Sequence, residues 1–221
     1  MTPQERTSSF SLASIFALRM FGLFIILPVF AVYARELPGG DSETLVGITL
    51  GIYGLTQGLL QIPFGVASDR LGRKPVIIFG LIIFALGSFL AASGANIWIV
   101  MLGRMLQGAG AISAAVTAFI ADSVRVQVLT KAMAMVGASI GLTFALSLLI
   151  SPPLTKLWGV SGLFTLTGIS ALIAVLVVKF VVPPAPQSAI DEKNEHRSWR
   201  KVVCDPQLVR LNIGIFVLHA V

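Results

Sequence analysis

Gly65-Val66-Ala67-Ser68-Asp69-Arg70-Leu71-Gly72-Arg73-Lys74-Pro75 gathers Asp69, Arg70, Arg73 and Lys74 into one short stretch, and the chain on either side carries no charge. Residues 44–68 and 75–103 contain no Asp, Glu, Lys or Arg. Crossing about 30 Å of hydrocarbon takes about 20 apolar residues, so the stretch reads as a polar turn between two membrane spans. Further out, 105–121, 132–155 and 157–178 are also free of charge.

The whole composition agrees. Charged residues make up 12% of the 221-residue chain, against roughly a quarter in soluble domains, too few for a water-facing surface. A hydrophobic content of 56% and a mean hydropathy of +0.90 exclude a disordered chain, and the solitary Cys204 excludes a disulfide scaffold. The apolar runs are solid rather than alternating, which excludes a barrel of outer-membrane strands. The fold class is therefore all-α, a polytopic membrane protein. Gly, Asn and Pro divide it into six helices near 10–34, 45–68, 75–94, 97–121, 132–154 and 162–182. The first is too long for a cleaved leader and has no small-residue cleavage site before Arg35.

This gives a six-helix transmembrane domain over 1–182. Pro183, Pro184 and Pro186 end the sixth helix and open a cytoplasmic linker over 183–207, either solvated or lying partly on the membrane surface through Ile190, Trp199, Val202 and Val203. Residues 208–221 reach only about 21 Å as a helix and read as the truncated start of a seventh span, which implies a missing carboxy-terminal half from the same gene or another chain.

Lys and Arg in the connecting loops set the orientation. Arg6, Arg70, Arg73, Lys74, Arg125, Lys131, Lys179, Lys193, Arg197, Arg200, Lys201 and Arg210 fall on one side, and only Arg35 and Lys156 on the other. The first side, with the amino terminus, is expected in the cytoplasm of a cell bounded by this inner or plasma membrane. The net charge of +6 is scattered beside spans, which suits anionic lipid headgroups and not the continuous basic face that nucleic acid needs.

Each residue type in the opening stretch has a mechanical use. Gly65 allows close helix approach, Gly72 supplies the positive φ of a tight turn, and Pro75 suits the first turn of the next helix. Asp69 can pair with Arg70 or Arg73 across the turn, making an electrostatic latch; the alternative is a basic turn that only obeys the topology rule.

Within the spans, Arg19 and Arg104 stand at membrane depth. An arginine there costs roughly 3 kcal/mol on insertion scales, so Arg104 is expected to face a polar cavity, the alternative being a guanidinium held by backbone carbonyls; Arg19 suits a substrate path or interhelical hydrogen bonding. Gln107 shares a helical face with Arg104, and Gly108 lies beside them. Tyr53, Gln57 and Gln61 form a polar stripe on the second span, suited to a substrate path or to interhelical hydrogen bonding. Gly137 and Gly141, running on towards Pro152 on the fifth span, suit a small-residue packing seam.

Enzyme chemistry finds no footing. His196, His219 and Cys204 form no metal or nucleophile pattern, and no phosphate-binding glycine loop of the Walker type is present. No cofactor or metal is expected. The six spans carry no carboxylate at depth, and arginine cannot release a proton, so proton coupling would run through a carboxylate at a span end, through the missing half, or not at all.

The pattern G-x-x-x-D-R-x-G-R-K from Gly65 to Lys74 resembles motif A of the major facilitator superfamily of secondary transporters. Arg104-Met105-Leu106-Gln107-Gly108-Ala109-Gly110-Ala111 is similar to that family's motif B. Gly137-Ala138-Ser139-Ile140-Gly141, running to Ser151-Pro152, partly resembles the motif C of antiporters, with Ser151 where glycine usually stands. These resemblances, and the stretch from Gly51 to Arg70, point to the drug:proton antiporter group. They imply a six-helix bundle built as a 3+3 inverted repeat, with spans one and four at a central cavity. They also imply Asp122 as the acidic partner of Arg73 in the latch, and an interaction of Asp69 with the second half. The function implied is efflux of a small-molecule substrate in exchange for protons by alternating access, in contact with the lipid bilayer. A symporter or uniporter of the same fold is the alternative, and a non-transporting membrane fragment or scaffold is the rival of another class.

Overall fold

A computed structural model describes residues 1–183 together with Pro206 and Arg210. The linker and seventh-span expectations lie otherwise outside the described residues. One compact unit covers Met1–Ala185. Among the described residues the regular structure is helical: α1 (Pro3–Phe24), α2 (Leu27–Glu36), α3 (Glu43–Leu71), α4 (Arg73–Ala92), α5 (Ile97–Ala109), α6 (Ser113–Ser123) and α7 (Val126–Phe180).

Local chemistry explains where these helices start and break. Thr2 and Glu5 make a reciprocal capping box: Glu5 N donates to Thr2 Oγ1 at 3.2 Å and Thr2 N donates to Glu5 Oε2 at 2.7 Å. The first span therefore begins at Pro3, earlier than the apolar pattern suggested. It is interrupted at Ile25–Ile26, because Pro28 lacks an N–H and its ring crowds the carbonyl of Phe24, the last residue of α1. The Asn96 side chain caps α5 by accepting from Ile99 N at 3.0 Å. The fourth span is likewise discontinuous, α5 giving way to α6 across Gly110–Ile112.

Among the described residues, five helical stretches are long and apolar enough to cross a membrane, and the last of them, α7, has 55 residues. A straight helix of that length would run about 80 Å, far more than one crossing needs. The chain in fact reverses at Gly159, whose φ of 65° and ψ of 177° leave the helical region. Before it, Ser139 Oγ donates to Ala13 O and Ser151 Oγ to Ile25 O, so this limb advances alongside α1. After it, Thr167 Oγ1 donates to Gly22 O, and Ala174, Val178 and Val182 pack with Leu12 and Ala13, so the second limb returns. The described residues thus make six passes along the bundle.

Buried side chains form three layers stacked along the bundle. One contains Leu12, Ile15, Ile77, Leu81, Val116 and Phe119, and the opposite one contains Ile25, Phe30, Ile97, Val100 and Phe164. Between them lies a thinner layer of Tyr53, Phe84, Ala85 and Ala171. The outer surface is apolar, with Leu59, Leu149 and Leu157 all largely exposed, as lipid contact requires.

Close helix approach relies on glycine at particular points. A Cβ on Gly108 would stand 2.3 Å from Tyr53 O and 2.0 Å from Thr56 Oγ1, so α3 and α5 touch backbone to backbone there. Thr56 Oγ1 reaches the Met105 carbonyl at 3.1 Å across the same contact.

Candidate functional site

The charged turn and the polar groups of the thin middle layer form two separate clusters. In the first, Gly72 joins α3 to α4 with φ of 94° and ψ of 151°, a conformation that suits only glycine comfortably. That turn sets Arg73 as the first residue of α4, where the helix dipole opposes a cation. Two carboxylates offset this: Arg73 Nη1 lies 2.5 Å from Asp69 Oδ1, and Nε lies 2.9 Å from Asp122 Oδ2. Arg73 also donates to Ser68 Oγ at 2.7 Å, and Ser68 Oγ donates to Gly65 O at 2.7 Å. Lys74 Nζ donates to Val182 O beyond the end of α7, a favourable place for a cation.

The two arms of this bridge are not equivalent. The side chains of Arg73 and Asp122 are only 15% and 13% exposed, whereas that of Asp69 is 61% exposed. Screening leaves the Asp69 arm the weaker. Arg70 is exposed and makes no ion pair among the described residues, so Arg73 takes the role that the sequence left open between the two.

At the same end, Arg125 binds Glu5 through two nitrogens: Nε to Oε1 at 2.8 Å and Nη2 to Oε2 at 3.3 Å. This pair ties the start of α1 to the connection between α6 and α7. The hydrogen bond to Glu5 holds the Arg125 guanidinium above its ordinary pKa. Sequence reasoning missed the pair, although Thr2-Pro3-Gln4-Glu5 carries the capping-box signature that fixes Glu5 in place.

In the second cluster, Arg19 and Arg104 are each 1% exposed. Arg19 Nη1 donates to Ser113 Oγ at 2.9 Å, Nη2 donates to Gln57 Oε1 at 3.2 Å, and the guanidinium carbon stands 5.7 Å from the Phe84 ring centre. Arg104 Nη1 donates to Gln107 Oε1 at 3.2 Å, and its guanidinium carbon lies 4.8 Å over Tyr53. Gln107 Nε2 continues the chain to Ser88 Oγ at 2.8 Å. The Nε atoms of both arginines and the Tyr53 hydroxyl are buried without a hydrogen-bond partner.

The sequence placed Arg104 against a polar cavity or under backbone carbonyls; in this conformation it is enclosed, and a glutamine and an aromatic face hold it. Arg19, Tyr53 and Gln57 are drawn into the same region. Gln61 is half-buried and makes no hydrogen bond among the described residues. Ser88 and Ser113 complete the network without any sequence signal, because serines are common in such helices. Gly137, Gly141 and Pro152 take no part: they lie exposed on α7, and a Cβ on either glycine would meet no neighbour within 4 Å.

Comparison with known proteins identifies the family. Residues 12–221 match the model of the Major Facilitator Superfamily. The chain is 46% identical to the inner membrane transport protein YajR of Escherichia coli K12 over 99% of its own length and 48% of that protein's. It is 35% identical to the class B tetracycline resistance protein of Escherichia coli, covering 55% of this chain and 31% of that one. Among solved structures, the human organic anion transporter MFSD10 superposes with a TM-score of 0.70 at 19% identity, over 83% of this chain and 49% of the other, and shows the shared fold. The chain spans about half the length of YajR. A bundle of six helical passes with the charged turn between its second and third, matched over nearly its whole length, makes this chain a multi-pass membrane protein of the Major Facilitator Superfamily of transporters.

Proposed function

We propose that this chain is the amino-terminal part of an inner-membrane exporter that moves small molecules outward in exchange for protons, by alternating access. The supporting observation is the Arg73 bridge. It ties α3, α4 and α6 together at one end of the bundle through a buried arm to Asp122 and an exposed arm to Asp69. A bridge with one strong and one weak arm stabilises one of two states by a modest amount, which a ligand preferring the other state can overcome.

The distribution of Lys and Arg supports a cytoplasmic position for this end and the amino terminus. In that orientation the bridge holds the inner mouth, with Gly65, Asp69, Arg70, Gly72, Arg73, Lys74 and Asp122 as its parts. Arg19, Tyr53, Gln57, Gln61, Arg104, Gln107 and Gly108 border the route exposed when the helices part. The exposed face of Gly137, Gly141 and Pro152 suits packing against the remaining length found in the relatives.

Among the described residues, every side-chain carboxylate sits at a helix end or in a turn: Glu5, Glu36, Glu43, Asp69 and Asp122 at helix ends, and Asp41 between α2 and α3. Asp69 and Asp122 belong to the bridge that must open in the change of state, so proton exchange is assigned to one of them or to the remaining length found in the relatives. The relatives named for transport and tetracycline resistance support export of a small molecule.

The test is reconstitution into liposomes holding a pH-sensitive dye. Adding a transported drug should move protons opposite to it; accumulation of the drug with no proton movement would contradict antiport.

A further inference from the structure

Two guanidinium groups lie in the middle of this bundle with no carboxylate partner among the described residues. Arg19 contacts Ser113, Gln57 and the Phe84 ring; Arg104 contacts Gln107 and the Tyr53 ring. All of these partners are neutral. Tyr53 and Gln57 are one turn apart on α3, so the two cations flank the same stretch of that helix. A buried cation is normally balanced by an anion, because neutral dipoles repay only part of its lost hydration.

A third positive element meets them. The break at Gly110–Ile112 opens a new helix amino terminus near mid-span, and no side chain caps it. Arg19 donates to the hydroxyl of Ser113, the first residue of that helix. The amino end of α6 carries partial positive charge, and half-helix termini inside transporters commonly face anionic groups. The buried Nε atoms of Arg19 and Arg104 remain free to donate.

We propose that the molecule this protein carries bears an anionic group, a carboxylate or a comparable oxyanion, that seats between Arg19, Arg104 and the amino end of α6. This deepens the transport reading and rests on it. The faces of Tyr53 and Phe84 favour a flat apolar body attached to the anion. The site is sealed in this conformation, so entry requires α1 and the α5–α6 break to move apart, coupling binding to the change of state.

The test uses the protein made from its complete open reading frame, held in lipid nanodiscs. Three probes of similar shape are compared by equilibrium binding: 1-naphthoate, 1-naphthamide and 1-naphthylmethylammonium. Naphthoate should bind at least about tenfold more tightly than the amide, because charge-assisted hydrogen bonds are the stronger class. Arg19→Gln or Arg104→Gln should erase that preference. Ser113→Ala, a milder change that keeps the fold, should reduce it.

Equal binding of the amide or the ammonium, or a preference that survives both arginine variants, overturns the proposal. So does full occupancy by chloride or sulfate that naphthoate cannot displace, which would make the anion a fixed counter-ion. Arginine-dependent naphthoate binding without movement across a liposome membrane would support the anion site and contradict the transport reading.

Discussion

Arg73 Nε lies 2.9 Å from Asp122 Oδ2, joining the first residue of α4 to the last turn of α6 across 49 positions of sequence. Both side chains are mostly covered, so the pair loses hydration on forming and leaves a poorly solvated charge if one partner is removed. Asp122→Asn should therefore lower the apparent Tm by several degrees and cut transport about tenfold or more, in the direction expected for breaking a partly buried pair. Thermal unfolding in detergent and dye efflux from the same preparation measure the two effects.

Asp69 separates the same effects. Its carboxylate is exposed, and pairs of that kind contribute about 0–1 kcal/mol to stability. Asp69→Arg should insert into the membrane and unfold near the native temperature, yet abolish transport through like-charge repulsion with Arg73. Near-normal transport in this variant would show that the exposed arm has no part in switching.

Gly72 tests the turn independently of charge. With φ at 94°, a Cβ strains the backbone whatever space surrounds it, so Gly72→Ala should cost roughly 1 kcal/mol or more. Gly58 is a matched control, since it is helical and a Cβ there meets nothing within 4 Å. Gly58→Ala should be neutral or slightly stabilising in the same unfolding assay.

The contact of α3 with α5 gives a steric prediction. A methyl at Gly108 would collide with Tyr53 O and Thr56 Oγ1, both held in place, so the helices would have to separate. Gly108→Ala should destabilise by about 1–3 kcal/mol, the usual range for overpacking.

These contrasts also show what the sequence could and could not reveal. Charge-free runs marked the spans because hydrocarbon tolerates little else, and the turn from Gly65 to Pro75 was legible because its glycine, proline and charges each have a local cause. The pairing of Arg73 with Asp122 followed from resemblance alone, since nothing in the sequence between residues 49 positions apart signals contact. The breaks at Ile25–Ile26 and Gly110–Ile112 were hidden inside continuous apolar runs: hydropathy measures transfer to lipid, not whether backbone hydrogen bonding continues. Arg19 and Arg104 stood out as costly, but their enclosure by Gln57, Ser113, Gln107 and aromatic faces depends on how six passes pack. Gly159 lay unmarked between two apolar runs, although its positive φ turns the chain back.

The claim on which the account rests is that the Arg73 bridge closes the mouth facing the cytoplasm. Side-specific labelling tests it most directly, using Arg70→Cys with Cys204→Ser and a membrane-impermeant maleimide on intact cells and on inverted vesicles. The account predicts that the reagent labels this cysteine in inverted vesicles and spares it in intact cells; labelling in intact cells would contradict it.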